Sequence, residues 1–320
     1  MLDLKNDIYV KDVDLWLDPR VKKPFSFVSH GHSDHLRRHE HVLVSEGTAL
    51  FYKDKFKKGH VVAKSFNEPF SINGCTVELF PSGHMLGAAQ ILIEHEERIV
   101  YTGDFKLARG STAEQAQIKN CDILIMECTY GNPKYVFPPR EEVNENIVRF
   151  VETCLNGGTI PVLFAYRLGK AQEVMKLLGN RNIPAAVSQS VFDSAKLYER
   201  AGVTFGPYRL FEGGDVRDSV VIGPWGMRKQ GLLKGIKSKR TAALTGWALD
   251  GGTRFRFGAD TSFPLSDHAD FNGLFEYVRR VQPRTVYTVH GPHRFCTYLR
   301  EAGFRAEPLP LKSSPQLSLW

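Results

Sequence analysis

Histidine is scarce in this chain, eleven residues of 320, yet three of them crowd with one aspartate into His30-Gly31-His32-Ser33-Asp34-His35. Neutral imidazole and carboxylate are the ordinary ligands of zinc and similar divalent ions in hydrolytic sites. A short buried strand over 25–29 leads into this segment. The loop beyond it can turn residues 30 and 32 one way and 34 and 35 another, so one stretch can serve two ions. Gly31 and Ser33 are small enough to let that loop turn tightly. A lone histidine at such a place is ordinarily structural; His-x-His-x-Asp-His at a strand end predicts metal binding.

Two ions need more ligands than one loop can give. Pro81-Ser82-Gly83-His84 follows a strand, with a glycine before the histidine. Tyr101-Thr102-Gly103-Asp104 ends another strand, with a glycine before the aspartate. Thr288-Val289-His290-Gly291 ends a third, late in the chain. Each is a ligand type released from the end of an apolar strand, where a sandwich presents its loops. His39, His41, His60 and His95 lie among charged residues and are expected to be surface side chains. His293 either lines the site or is exposed.

The elements that must hold these residues fall into two kinds. Up to about residue 135 the chain reads as short strands: a hairpin over 7–10 and 14–17, then 25–29, 76–80, Ala89–Glu94 and 98–102, and the apolar run Ile123–Glu127. Such a series suggests two stacked sheets. After Tyr130-Gly131-Asn132-Pro133 the period changes. Val143, Ile147, Phe150, Val151 and Leu155 recur at helix spacing over 140–155. Strand 159–164, helix 170–178, strand 185–188 and helix 191–201 follow, and 219–222 and 241–245 would complete a parallel sheet. Helix Phe271–Val281 and strand Thr285–Val289 close the chain. The expected layout is a β-rich unit over 1–135, an inserted α/β unit over 136–250, and the remainder of the first unit over 251–320.

Apolar residues make up 42 % of the chain and charged residues 24 %, ordinary for a globular protein with a real core. Residues 1–7 carry acids where a signal peptide needs a basic and then an apolar stretch. No apolar run approaches the ~18 residues of a membrane span. Cys75, Cys121, Cys128, Cys154 and Cys296 are odd in number and contain no Cys-x-x-Cys pair, which argues against a zinc knuckle or a disulfide framework. A cytoplasmic protein with reduced thiols and no membrane partner is expected. The net charge of +7 only permits a polyanionic partner. Its distribution is more pointed: Arg228, Lys229, Lys234, Lys237, Lys239 and Arg240 fall between 226 and 249 with no acid among them.

His30-x-His32-x-Asp34-His35, then His84, Asp104 and His290, resembles the full ligand set of the metallo-β-lactamase superfamily, in order. The resemblance implies an αββα sandwich binding two divalent ions, Zn²⁺ foremost with Mn²⁺ as the alternative. One ion would take His30, His32 and His84, the other Asp34, His35 and His290, with Asp104 bridging both. Asp18 stands where that family has an acid orienting a ligand histidine. Glu127-Cys128-Thr129-Tyr130-Gly131 and Ser266-Asp267-His268-Ala269-Asp270, flanking the α/β insert, resemble with His290 the extra motifs of the β-CASP nucleases. The implied chemistry is in-line attack on phosphorus by a hydroxide held between ions ~3.5–4 Å apart. His268, its tautomer or charge fixed by Glu127, would protonate the leaving oxygen, and Asp34 would be as indispensable to cleavage.

Within the insert, Leu168-Gly169-Lys170-Ala171-Gln172 resembles a stretch of that family and opens a helix, where Arg167 and Lys170 would suit phosphate. Trp225 with Arg228 and Lys229, and Trp247 beyond them, could stack bases and hold backbone; burial is the alternative for each tryptophan. His290 favours RNA, because animal DNA-repair members of the β-CASP group typically lack that histidine. The chain as a whole, in its length, in Leu168-Gly169-Lys170-Ala171-Gln172 and in the Ser266-Asp267-His268-Ala269-Asp270 form of the second motif, most resembles bacterial ligase-associated DNA exonucleases. It departs from their commonest form at Cys128-Thr129-Tyr130, where Ala-Thr-Phe is more usual. DNA exonuclease in repair or end processing is therefore the first expectation, with a DNA ligase as a functional partner, and an RNA-processing nuclease the second. A hydrolase of small esters would lack the insert, and an inactive binding subunit would have lost ligands.

Overall fold

In the strand Cys75–Pro81, Val77 and Leu79 face one apolar layer and Phe80 the other, as the twofold period of a strand requires. The same division recurs in Ala89–Glu94, with Ile91 and Ile93 against Leu92, and in Ile123–Glu127, with Ile125 against Leu124 and Met126. Strands apolar on both faces must be covered on both, and the computed structural model shows how. It describes residues 2–4, 7–56, 59–214 and 216–309.

These strands belong to a seven-stranded sheet ordered Ala306–Pro308, Thr285–Val289, Ile123–Glu127, Arg98–Tyr101, Ala89–Glu94, Cys75–Pro81, Phe70–Ile72. Its inner face meets Leu17, Phe27 and Leu43 of a six-stranded sheet built from Leu2–Asp3, Ile8–Val10, Leu15–Leu17, Phe25–Phe27, His41–Ser45 and His60–Lys64. Its outer face packs Val100, Leu124, Met126 and Val286 against Leu274, Tyr277 and Val278 of helix Phe271–Val281 and Phe295 and Leu299 of helix Arg294–Glu301. Helix Glu46–Lys55 packs on His41–Ser45 and His60–Lys64 of the other sheet. The result is the expected αββα sandwich. It forms one compact unit of residues up to Arg109, Ala113–Lys134 and those from His268 on.

The second unit comprises Gly110–Thr112 and Tyr135–Asp267. Its sheet is parallel throughout, ordered Tyr208–Leu210, Ala185–Val187, Val220–Gly223, Ile160–Phe164, Lys239–Leu244, Thr261–Phe263. One face packs Leu163, Val187, Ile222 and Leu244 against helices Arg140–Asn156, Lys170–Gly179 and Gln189–Arg200. The other packs Val162, Phe164 and Val221 against Met227, Leu233 and Ile236 of a stretch of short 3₁₀ turns. This unit runs on past residue 250, the sequence-based boundary, because Thr261–Phe263 adds the edge strand beside Lys239–Leu244. The short helix Thr253–Phe257 belongs to it as well. Among the described residues no helix is long and apolar enough to cross a membrane. All five cysteines are buried free thiols.

Candidate metal centre

Register explains how residues far apart in sequence meet. Arg98–Tyr101, Ile123–Glu127 and Thr285–Val289 run parallel, with Tyr101 opposite Ile125 and Glu127 opposite Val289. Their C-terminal ends therefore share one sheet edge, which delivers Asp104, Glu127 and His290 together. Pro81 pairs with Ala89 on the same side, bringing His84 to that edge. The backbone N–H of Ala89 donates to the carbonyl of Ser29 at 2.9 Å, which ties in the end of Phe25–Phe27 and the His30–His35 loop.

Glycine makes two of these turns possible. Gly83 has φ +76°, and a Cβ there would stand 2.3 Å from the carbonyl oxygen of Lys106. Gly103 has φ +53°, and its Cβ would stand 2.6 Å from that of Ser29. No side chain fits either place, so the residue before each ligand is glycine for a steric reason.

The side chains converge. One ligand atom each from His30, His32, His84 and Asp104 lies within 4.8 Å of every other. Asp104 Oδ2 stands 3.6 Å from Nε2 of both His30 and His35 and 3.8 Å from that of His84. His35 Nε2 is 3.7 Å from Asp34 Oδ2, and the rings of His35 and His290 are 5.4 Å apart. His30, His32, His84 and Asp104 thus form one group, with His35 next to Asp104 and with Asp34 and His290 next to His35.

Around them sits a set of orienting bonds. Asp18 Oδ2 is 2.8 Å from His35 Nδ1 and accepts from Tyr101 OH at 2.9 Å and Ser29 Oγ at 2.5 Å, while Oδ1 accepts from the Ser29 N–H at 2.8 Å. Ser29 Oγ is also 2.9 Å from His30 Nδ1. Both imidazoles are therefore held by Nδ1 and present Nε2 to the cluster. Ser29 and Tyr101 escape sequence reading. The only signal was a serine directly before the first ligand and a tyrosine three residues before Asp104.

Burial and charge show what this centre suits. Burial holds His30 well below the usual imidazole range, with His35, His84 and His32 adding to it, and pushes His290 down to about 4. At His35 burial opposes protonation, but the carboxylates of Asp104, Asp18 and Asp34 prevail and raise it to about 10. Burial drives Asp104 upward against the pull of His35. His30 and His290, kept neutral by burial, offer lone pairs beside buried carboxylates, and a divalent cation there would take the place of the proton that the carboxylates hold on His35. His30 Nε2 and Asp104 Oδ1 are buried with no hydrogen-bond partner among the described residues, a costly state that ligation to a cation would relieve. The donor set fits divalent metal, and its imidazole content suits zinc better than magnesium.

Beside the cluster, His268 Nδ1 lies 2.8 Å from Glu127 Oε1, and the His268 ring is 4.7 Å from that of His84. Glu127 is fully buried and accepts from the Phe105 N–H at 2.8 Å and the Thr129 N–H at 3.3 Å. Burial opposes its charge, yet His268 and these bonds keep its carboxyl below the ordinary range. The Phe105 carbonyl accepts from the Ala269 N–H at 2.7 Å, so one backbone residue next to Asp104 locates both members of the pair.

Other expectations fare differently. His41, His60 and His95 are exposed, as is His293, but His39 is buried: its Nδ1 accepts from the Lys23 N–H at 3.2 Å, and its own N–H donates to Tyr52. In the second unit Arg167, Arg228 and Lys229 are exposed. Lys170 is buried, with Nζ 3.4 Å from Asp267 Oδ2, so it is spent on an ion pair and not offered to phosphate. Trp225 is half-buried between Phe164 and Phe257, and Trp247 half-buried edge-on to Tyr135. Both serve packing.

Comparison with known proteins agrees with this picture. The family model described as "Zn-dependent metallo-hydrolase RNA specificity domain" matches residues 261–308. A protein of Opitutus terrae named probable DNA ligase is 40 % identical over 305 residues, covering 93 % of this chain and 30 % of its own length. An RNase J-like protein of Methanocaldococcus jannaschii is 24 % identical over 67 % of this chain and 63 % of its own. The chain thus spans about a third to two thirds of these relatives. A crystal structure of an Enterococcus faecalis protein of unknown function has the same fold, with TM-score 0.61 at 16 % identity over 91 % of this chain and 80 % of that one.

Proposed function

Because the chain belongs to the β-CASP group of the metallo-β-lactamase superfamily, we propose that it is a two-metal nuclease hydrolysing DNA phosphodiester bonds, as an exonuclease in repair or end processing. The observation that carries this is the His268–Glu127 pair, 2.8 Å apart, beside the converging side chains of His30, His32, His84 and Asp104. Divalent ions bound there would lower the pKa of water into the neutral range and neutralise phosphate oxygens.

The protein's own groups supply the rest. Asp18 and Ser29 set the ring orientations of His35 and His30, so that both present Nε2. Glu127 occupies Nδ1 of His268 and directs it to act through Nε2, from which a proton can pass to the leaving oxygen. Burial of Glu127 keeps that hydrogen bond out of competition with water.

DNA is favoured by the relative named a DNA ligase, similar over nearly the whole chain, and by the motif resemblance. A DNA ligase as functional partner rests on the same two grounds. RNA is the second reading, supported by the family model's description over 261–308 and by the RNase J-like relative. Labelled single-stranded DNA, duplex DNA and RNA, each offered with Zn²⁺ or Mn²⁺, separate the two. Progressive shortening of DNA from an end is expected; rapid cleavage of RNA with none of DNA would overturn the DNA assignment.

A further inference from the structure

Of the five large apolar side chains that stand exposed among the described residues, one is aromatic: Phe255, with 71 % of its surface open. It lies on the short helix Thr253–Phe257, which fastens itself down by two residues. Thr253 Oγ1 donates to the Trp247 carbonyl at 2.5 Å, and Phe257 is buried with Ala243 and Ala259. The three residues between them, Arg254, Phe255 and Arg256, all face solvent.

The surroundings make this more than a stray apolar side chain. The Arg254 guanidinium stands over the Phe255 ring at 4.6 Å. Arg228 Nη1 donates to the carbonyl of Phe257 at 2.8 Å and stacks 4.7 Å from the Trp225 ring, adding a cation at the end of the helix. Trp225 meets Phe257 edge-on at 5.1 Å and supports the helix from beneath. Leu249, 36 % exposed, lies on the turn packed against the same helix. Between 219 and 266 there are eight lysines and arginines and two acids, Asp250 and Asp260. Asp250 accepts from Tyr135 OH, and Asp260 accepts from the N–H and Oγ1 of Thr241.

We propose that Phe255 is a base-stacking platform for a single-stranded stretch of polynucleotide, with Arg254 and Arg256 meeting the backbone phosphates on either side. An open aromatic face flanked by guanidinium groups is how proteins hold unpaired bases without reading sequence, since every base offers a π face. Bases within a duplex are already stacked and offer none except at an end. A second copy of this chain is a poor occupant, because two such basic surfaces repel. This inference rests on the reading of the protein as a nuclease and adds the strandedness of its substrate.

The test compares a thymidine oligonucleotide with an abasic one of equal length, both phosphorothioate-linked to slow cleavage, by fluorescence anisotropy on the metal-loaded enzyme. The wild type should prefer the base-bearing strand by about tenfold, the worth of one stacked base. Phe255→Ala should erase that preference without weakening binding of the abasic strand, and Phe255→Trp should restore it. Arg256→Ala should weaken both strands alike. A wild-type preference that persists in Phe255→Ala overturns the platform, as does unchanged affinity accompanied by loss of a dimer in sedimentation. Phe255-dependent binding with no cleavage of any nucleic acid would leave the platform standing and overturn the nuclease.

Discussion

Asp18→Asn is the most informative single change at the metal centre, because it alters the hydrogen-bond logic and little else. Asp18 has φ +43°, a left-handed conformation that asparagine tolerates as well as aspartate, so the backbone should not move. Three donors converge on Oδ2, from His35 Nδ1, Ser29 Oγ and Tyr101 OH, and one on Oδ1, from the Ser29 N–H. Either orientation of an amide sets its NH₂ against a donor. Placed at Oδ2 it opposes three of them; flipped, it opposes the Ser29 N–H. In the first orientation His35 is driven to carry its proton on Nε2, the nitrogen that faces Asp34 and Asp104, and can no longer offer a lone pair there. Loss of such an orienting partner costs about 10–100-fold in metal affinity, or about 1.4–2.7 kcal/mol. The side chain is almost fully buried, so solvent screening should not reduce this. Competition with a chromophoric chelator reads the zinc affinity, and circular dichroism confirms the fold. Affinity within twofold of wild type would refute the orienting role of Asp18.

Gly103→Ala places a methyl group against Ser29 at φ +53° and should cost about 2–4 kcal/mol from backbone and packing strain combined; an unchanged urea midpoint would contradict it. Glu127→Gln can keep its carbonyl oxygen toward Phe105 and His268, but turns its NH₂ against the more weakly bonded Thr129 N–H and loses the charge facing His268, so kcat should fall about a hundredfold or more with KM little changed. Equal kcat in the two proteins would remove Glu127 from the mechanism. Glu173 accepts from the N–H groups of Ser111 and Thr112, from Thr112 Oγ1 and from Arg140. Glu173→Ala strands a largely buried arginine and should destabilise the second unit by about 3 kcal/mol in guanidinium unfolding; a loss under about 1 kcal/mol would mean the network is slack. Chelation should lower the melting temperature, with Zn²⁺ restoring it and Mg²⁺ failing to, since free ion at about a thousand times its Kd stabilises by about 4 kcal/mol. Coincident melts with and without chelator would deny a folded-state metal site.

The cluster of His30, His32, His84 and Asp104 was legible because its members follow apolar strands and two carry a glycine whose need is local. The strands Ala89–Glu94, Ile123–Glu127 and Thr285–Val289 and the helix Phe271–Val281 match their predicted bounds, since long apolar runs and helix-period faces are strong signals. His39 misled because its neighbours Arg37, Arg38 and Glu40 are charged, whereas burial is decided by its contact with Lys23 and Tyr52 from other parts of the chain. Lys170 misled for the same reason: a lysine opening a helix looks available for phosphate until Asp267, 97 positions away, is seen beside it. The edge strands Tyr208–Leu210 and Thr261–Phe263 are three residues each, too short for any period to declare itself. Phe255 gave no signal at all, because exposure of one phenylalanine is settled by how its helix lies on the sheet.

Cleavage and metal content measured together on one pair of proteins test the central claim most directly. The wild type should carry two divalent ions per chain and shorten labelled DNA. His268→Ala should carry the same two ions, melt at the same temperature and cleave nothing. Full cleavage by the His268 variant, or a wild type that cleaves without bound metal, would contradict the account.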